Sequence, residues 1–193
     1  MDARLTESPR APPEAAAGED SLQRARGGDL AAFRELLRVH KARVYSIALR
    51  FMGHRADAEE VAQDVFLQLH GALAQIAGTA HLKHWLLRTV THRCIDRLRS
   101  AGSRPRLVPI GALPEGAAVA AEQGDPLAGA QVRRLLLQLS PEARAVLLLR
   151  FQEDLDPSEI AAVLAMSVNT VKSHLRRSLD WLRAQMAGGK HGT

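Results

Sequence analysis

An all-α fold of two small helical domains is predicted by three observations. Aromatic residues are only 4% of the chain, and its 46% apolar content rests mainly on Leu, Ala and Val; Leu and Ala favour helices, whereas strands draw on β-branched and aromatic side chains. Apolar residues recur at spacings of three and four in both halves, the period of a helix face. Between the halves, residues 101–125 carry Gly102, Pro105, Pro109, Gly111, Pro114, Gly116 and Gly124 without steady helical spacing, which predicts a linker.

The N-terminal stretch, rich in Ala, Pro and Glu, has few large apolar side chains to offset its ordering entropy. A disordered tail is predicted there, extending through residue 26. Gly27-Gly28-Asp29 then punctuates and caps a helix start. Phe33, Leu37, His40, Val44, Ile47, Ala48 and Phe51 form one face of the helix that follows, and Gly53 ends it. Asp57-Ala-Glu-Glu60 has the form of a capping box. It opens a helix with Ala58, Val61, Val65 and Leu69 on one face, as far as about Gly71. A loop around Gly78-Thr79 leads into a third helix over 81–99.

Sharper signals lie beyond the linker. Ser140-Pro141-Glu142 combines a capping hydroxyl, a proline at the first helical position and an acid near the positive helix end. Asp156-Pro157-Ser158-Glu159 repeats the device and adds the capping-box acid. The order is thus an N-terminal tail (1–26), a first block (27–100), a linker (101–129), a second block (130–187) and a C-terminal tail (188–193).

From Ser158 the pattern is that of a helix-turn-helix. Ile160, Ala161 and Leu164 supply the inner face of a short first helix, and Ala165-Met166-Ser167 makes the turn, with Ser167 as cap. Val168, Val171 and Leu175 face inward from the second helix. Left outside are Asn169, Thr170, Lys172, Ser173, Arg176 and Arg177, and no acid occurs from Ser167 to Leu179. Small polar groups and cations on one face are what a helix in the DNA major groove requires. The plainer alternative is a solvated surface helix. The matched inner spacing, the turn and the one-signed outer face together favour DNA binding.

The first block carries two opposed charge features. Asp57, Glu59, Glu60 and Asp64 make one helix acidic at its start. Residues 81–106 hold Lys83, Arg88, Arg93, Arg97, Arg99, Arg104 and Arg106 against one acid, Asp96. The basic helix is either a second phosphate-contacting surface or a solvated face. The acidic helix fits a basic protein surface.

The run from Asp57 to Phe66, then Trp85-Leu86 and the spacing to Asp96 and Arg99, resembles the second conserved region of the extracytoplasmic-function (ECF) sigma factors of bacterial RNA polymerase. Leu139 to Arg150 and the helix-turn-helix resemble their fourth region. The resemblance covers about 29–99 and 132–183, in the family's order. It implies that Asp57, Glu60, Gln63 and Asp64 dock on the clamp coiled coil of the largest polymerase subunit. The 79–97 segment, through Thr79, His81, Lys83, Arg88, His92 and Arg93, would recognise the −10 element and hold the opened strand. Asn169, Thr170, Lys172, Ser173, Arg176 and Arg177 would read the −35 element. Core polymerase, including its flap, and promoter DNA are the implied partners, with an anti-sigma factor as inhibitor. His92 stands where the family usually has Asn. Ala165 stands where many helix-turn-helices have Gly, and it fits if the turn stays right-handed.

Other readings fare worse. His81, His84, His92 and Cys94 suggest zinc, but they spread over several turns of one helix and no second cluster completes a tetrahedron. Trp85 and Trp181 fall at core spacing. No phosphate-cradling glycine loop, His-Glu-x-x-His or Gly-x-Ser-x-Gly occurs, so neither an enzyme nor a cofactor is predicted. One cysteine excludes an internal disulfide. The first residues do not form a signal peptide, and no apolar run reaches the ~20 residues of a membrane helix. A cytoplasmic, nucleoid-associated protein is expected. Two rivals remain: a regulator that binds its operator as a dimer, and a helical adaptor for acidic proteins.

Overall fold

A computed structural model of the chain describes residues 13–100 and 126–188. Among them are eight α-helices, one 3-10 turn and no strand. The expectations for residues 1–12, 101–125 and 189–193 lie outside the described residues.

Helices α1 (Pro13–Arg26), α2 (Leu30–Met52), α3 (Arg55–Ala72) and α4 (Thr79–Ser100) build the first block. Helix α1 corrects the disorder predicted through residue 26. Leu22 and Ala25 lie three apart on one helix face and are buried in the core. The polar composition averaged over the tail hid this two-residue anchor. Glu19 extends the correction: its carboxylate accepts the Thr79 N–H at 3.0 Å and so caps α4. Asp29 caps α2 as predicted, accepting from the N–H groups of Ala31 and Ala32 at 2.8 and 3.1 Å.

The inner face of α2 is rotated slightly from the predicted one. Ala32 and Leu36 are buried, whereas Phe33, Leu37 and His40 are only half-buried. Gly53 ends α2 in the left-handed region, φ +74°. The backbone there favours glycine, and a Cβ would also push on the Leu137 side chain at 2.8 Å.

The capping box expected at Asp57 and Glu60 is absent. Helix α3 starts three residues earlier, behind His54, whose side chain makes no capping bond. Asp57 and Glu60 therefore lie within the helix and turn to Arg97 on α4 instead. Its predicted inner face, Ala58, Val61, Val65 and Leu69, is buried.

The second block contains α5 (Pro126–Leu136), α6 (Pro141–Phe151), α7 (Pro157–Leu164) and α8 (Val168–Gly188). Helix α5 begins inside the predicted linker. Both predicted caps form. Ser140 accepts from Ala143, and Asp156 and Glu159 satisfy each other's backbone N–H groups in a full capping box. The turn between α7 and α8 is not right-handed: Ala165 has φ 52° and ψ 44°. Its N–H returns to the Ala161 carbonyl, and Ser167 caps α8 by accepting from Thr170 at 3.1 Å. Trp85 is half-buried against the core; Trp181 is half-buried too, at the margin of α8 rather than within the core.

The blocks are in contact. Helices α2 and α4 lie against α6, and α4 also lies against α7. One apolar cluster runs from Leu22 through Phe51 and Val90 to Leu149, Ile160 and Val171.

Two stability measurements follow. Leu22→Ala, which leaves a cavity beneath α1, is expected to cost about 2–5 kcal/mol in urea unfolding; a loss within experimental error would mean that α1 is not anchored. At Ala165, a left-handed residue costs about 1–2 kcal/mol, against about 0.5–1 kcal/mol for the greater freedom of glycine in the unfolded chain. Ala165→Gly is therefore expected to stabilise by about 0.5–1 kcal/mol, and a destabilised variant would contradict the left-handed turn.

Candidate nucleic-acid interface

The helix-turn-helix is assembled as its sequence requires. Ile160, Ala161, Val163 and Leu164 of α7 are buried, and Val171 of α8 is buried opposite them. Val168 and Leu175 are half-buried against the same cluster. This packing leaves Asn169, Thr170, Lys172, Arg176 and Arg177 exposed on α8. Ser173, predicted outside, is half-buried. The Thr170 hydroxyl pairs with Ser167 at 2.8 Å, which fixes the first turn of the helix. The face carries cations and small polar groups, in reach of groove edges and flanking phosphates.

Helix α4 presents the second set. Thr79 is half-buried, with its N–H held by Glu19. His81 is exposed, and its Nδ1 accepts the Ala77 N–H at 3.0 Å, closing the loop onto the helix. Lys83 is exposed. It and Arg43 help hold the His40 imidazole below its ordinary pKa, after the larger effect of burial. Arg93 faces the side-chain amide of Gln68 on α3. Arg88 and His92 reach across to the second block: Arg88 Nη1 donates to the Ala162 carbonyl at 3.3 Å, and His92 Nε2 donates to the Val163 carbonyl at 2.9 Å. Sequence reasoning placed five of the six on one helix and Thr79 in the loop before it, whereas α4 begins at Thr79; it did not show that two of them bind α7.

The loop before α4 is anchored by buried Leu73 and Ile76 and exposes Ala74, Gln75 and Ala77. Arg26 Nε donates to the Leu73 carbonyl at 3.3 Å. With Trp85 half-buried, the loop and helix expose no Trp, Tyr or Phe ring, and the exposed rings there are the imidazoles of His81 and His84.

On α3, Gln63 is exposed and Asp64 half-buried. Glu60 accepts from Arg97 at 2.5 Å and Asp57 accepts from the same nitrogen at 3.3 Å. The Arg97 hydrogen bond holds Glu60 below the usual carboxylate range. The helix thus keeps an acidic face, partly neutralised from α4.

An apolar groove of about 240 Å³ opens among α5, α6 and α8, lined by Val132, Leu136, Leu147, Leu148, Leu179 and Leu182. Phe151 stands at its edge with 66% of its surface exposed. Sequence reasoning missed it, because its walls come from three helices that no single periodicity joins. Among the described residues no group of three or more His, Cys, Asp or Glu side chains could hold a metal. No helix there is long and apolar enough to cross a membrane.

Residues 36–104 match the family model for Sigma-70 region 2, and residues 129–182 the model for Sigma-70, region 4. The ECF RNA polymerase sigma factor SigW of Bacillus subtilis is 26% identical over 181 residues, covering 86% of this chain and 94% of that protein. SigK of Mycobacterium bovis, likewise an ECF RNA polymerase sigma factor, is 30% identical over 179 residues, covering 89% and 95%. Among solved structures, CnrH in complex with the cytosolic domain of CnrY has a TM-score of 0.64 at 23% identity, covering 89% of this chain and 98% of that one. The Bartonella quintana sigma factor RpoE, bound to the anti-sigma factor NepR, has a TM-score of 0.61 at 19% identity, covering 80% and 96%.

Proposed function

The chain belongs to the ECF RNA polymerase sigma factors, and from that premise we propose how its faces divide the work of promoter recognition. A sigma factor binds core RNA polymerase and directs it to specific promoters. It acts by binding and not by catalysis, in the cytoplasm where the polymerase works. The observation that carries the assignment of faces is the exposed surface of α8 from Val168 to Leu179, which holds no acid and is set on a packed helix-turn-helix. In this reading Asn169, Thr170, Lys172, Ser173, Arg176 and Arg177 read the −35 element as duplex in the major groove.

Helix α4 takes the −10 element. Bases there must leave the stack to be read, and Lys83, Arg88 and Arg93, with Thr79, His81 and His92, lie along one helix where a displaced strand can be held by its phosphates. Asp57, Glu60, Gln63 and Asp64 meet the basic coiled coil of the polymerase clamp. The groove edged by Phe151 takes an apolar helix of the polymerase flap. Proteins of this fold have been solved in complex with the cytosolic domain of CnrY and with the anti-sigma factor NepR, and an anti-sigma factor completes the proposed partners. An operator-binding dimer would need neither the acidic α3 face nor region 2, and no observation favours it.

Reconstitution with core polymerase tests the assignment. The chain is expected to give run-off transcripts from specific promoters and none without core enzyme. Arg176→Ala is expected to cost about 1–3 kcal/mol and to relax preference at one −35 position if the guanidinium forks onto a guanine. A uniform loss with a shallower salt slope would assign it to phosphate instead, and wild-type behaviour across a full base scan would remove α8 from the −35 element.

Promoter opening tests α4. With no exposed Trp, Tyr or Phe ring to stack on, opening relies on one or two bases captured by the loop and on cations along the backbone. Loss of one charge-assisted bond of about 1.5–3 kcal/mol is expected to lower opening by Arg88→Ala holoenzyme at least about tenfold. A pre-melted bubble across −10 is expected to rescue that variant more than it helps the wild type. Equal opening of duplex promoters by both proteins, read by permanganate footprinting, would remove Arg88 from strand capture.

A further inference from the structure

We propose that α1 is a clamp for the loop that reads the −10 bases, with Glu19 and Arg26 as positioning residues that hold the two ends of that loop. The inference deepens the reading of the loop before α4 given above and rests on it.

The loop, residues 73–79, has little of its own to fix its shape. The Gly78 carbonyl accepts the first N–H of α4, from Leu82 at 2.8 Å, yet glycine carries no side-chain oxygen with which to cap the helix. Glu19 supplies the cap from α1, accepting the Thr79 N–H at 3.0 Å. A carboxylate there also meets the positive end of the α4 dipole. Gly78 leaves room for it, because a Cβ at that position would stand 3.3 Å from Glu19 Oε1. At the other end of the loop, Arg26 Nε donates to the Leu73 carbonyl at 3.3 Å. The same carbonyl accepts the Ile76 N–H at 3.2 Å and closes the 3-10 turn.

The two grips belong to one device. Glu19 and Arg26 are two helical turns apart on α1, so they leave it from nearly the same face, about 10 Å from each other along the axis. Leu22 and Ala25 lie between them and are buried. The apolar pair fixes α1 to the core, and the polar pair reaches from it to the loop. Both grips fall on backbone groups. They set the path of the loop without occupying the side chains it exposes, those of Ala74, Gln75 and Ala77.

A loop already held in its binding shape loses less freedom when it takes a base. A loose one can repack around a wrong base, as flexible binding surfaces do. Releasing the clamp is therefore expected to show as lost discrimination among −10 bases. Charge alone predicts something different: removing the Glu19 carboxylate takes a negative charge from beside the strand and tightens binding to every sequence alike.

The test compares holoenzymes carrying Glu19→Ala, Glu19→Gln or Arg26→Ala, with opening of promoters that bear single-base −10 changes read by permanganate footprinting. Each variant leaves Leu22 and Ala25 in place, so α1 stays anchored; circular dichroism and core-polymerase affinity are expected to match the wild type. Glu19→Ala and Arg26→Ala are each expected to lower the ratio of opening on the preferred −10 sequence to opening on its single-base variants about three- to tenfold. Glu19→Gln keeps an oxygen that accepts the Thr79 N–H, and its ratio is expected to stay within about twofold of wild type. A merely structural role for α1 would lower opening on all promoters together and leave the ratio intact.

An intact ratio in both alanine variants overturns the clamp, as does an equal loss in Glu19→Gln and Glu19→Ala. Gln75→Ala reports on the loop itself. An altered base preference in that variant, with none in the α1 variants, overturns the clamp alone. Unaltered preference in all of them removes the loop from −10 reading as well.

Discussion

Arg144 lies 5% exposed between the two blocks, and every hydrogen bond it makes goes to a backbone carbonyl. Leu136, Leu137 and Leu139 receive it where α5 ends, and Phe51 receives it one residue before the end of α2. The last carbonyls of a helix lack partners within the helix and carry the negative end of its dipole. One planar fork therefore meets two helix ends at once, which a flexible ammonium could not do in a fixed geometry. Burial pulls its pKa down to about 10, still charged at neutral pH. The neighbouring Cys94 thiol is pushed up to about 12, chiefly by burial, and so stays neutral beside it. The guanidinium is tolerated inside because the helix ends supply the partial negative charge that a carboxylate would otherwise supply.

This constraint sets the rest of the second block. With Arg144 fixed among α2, α5 and α6, helix α6 presents Ala145 to Leu149 to apolar neighbours on nearly every side, and these residues are buried. Gly53 belongs to the same junction: its missing side chain lets Leu137 approach the end of α2. Helix α7 then begins at the Asp156 capping box, a few residues past α6, and α8 packs across it through Val171. The position of the recognition helix thus follows from the anchoring of α6, through two short connections with well-satisfied ends.

The features legible in the sequence were those that depend on neighbours in the chain. Ser140, Asp156 and Ser167 cap the helices they were expected to cap, and Ile160, Ala161, Leu164 and Val171 face inward. Features set by contacts distant in sequence were not legible. Asp57 and Glu60 have the spacing of a capping box, yet Arg97, 40 and 37 residues away, attracts both carboxylates. Glu19 looks like part of a solvated tail, and only the fold brings it to Thr79, 60 residues on. The handedness at Ala165 could not be read from the sequence, because the local rule asks what alanine prefers. The packing of α8 on α7 dictates what it adopts.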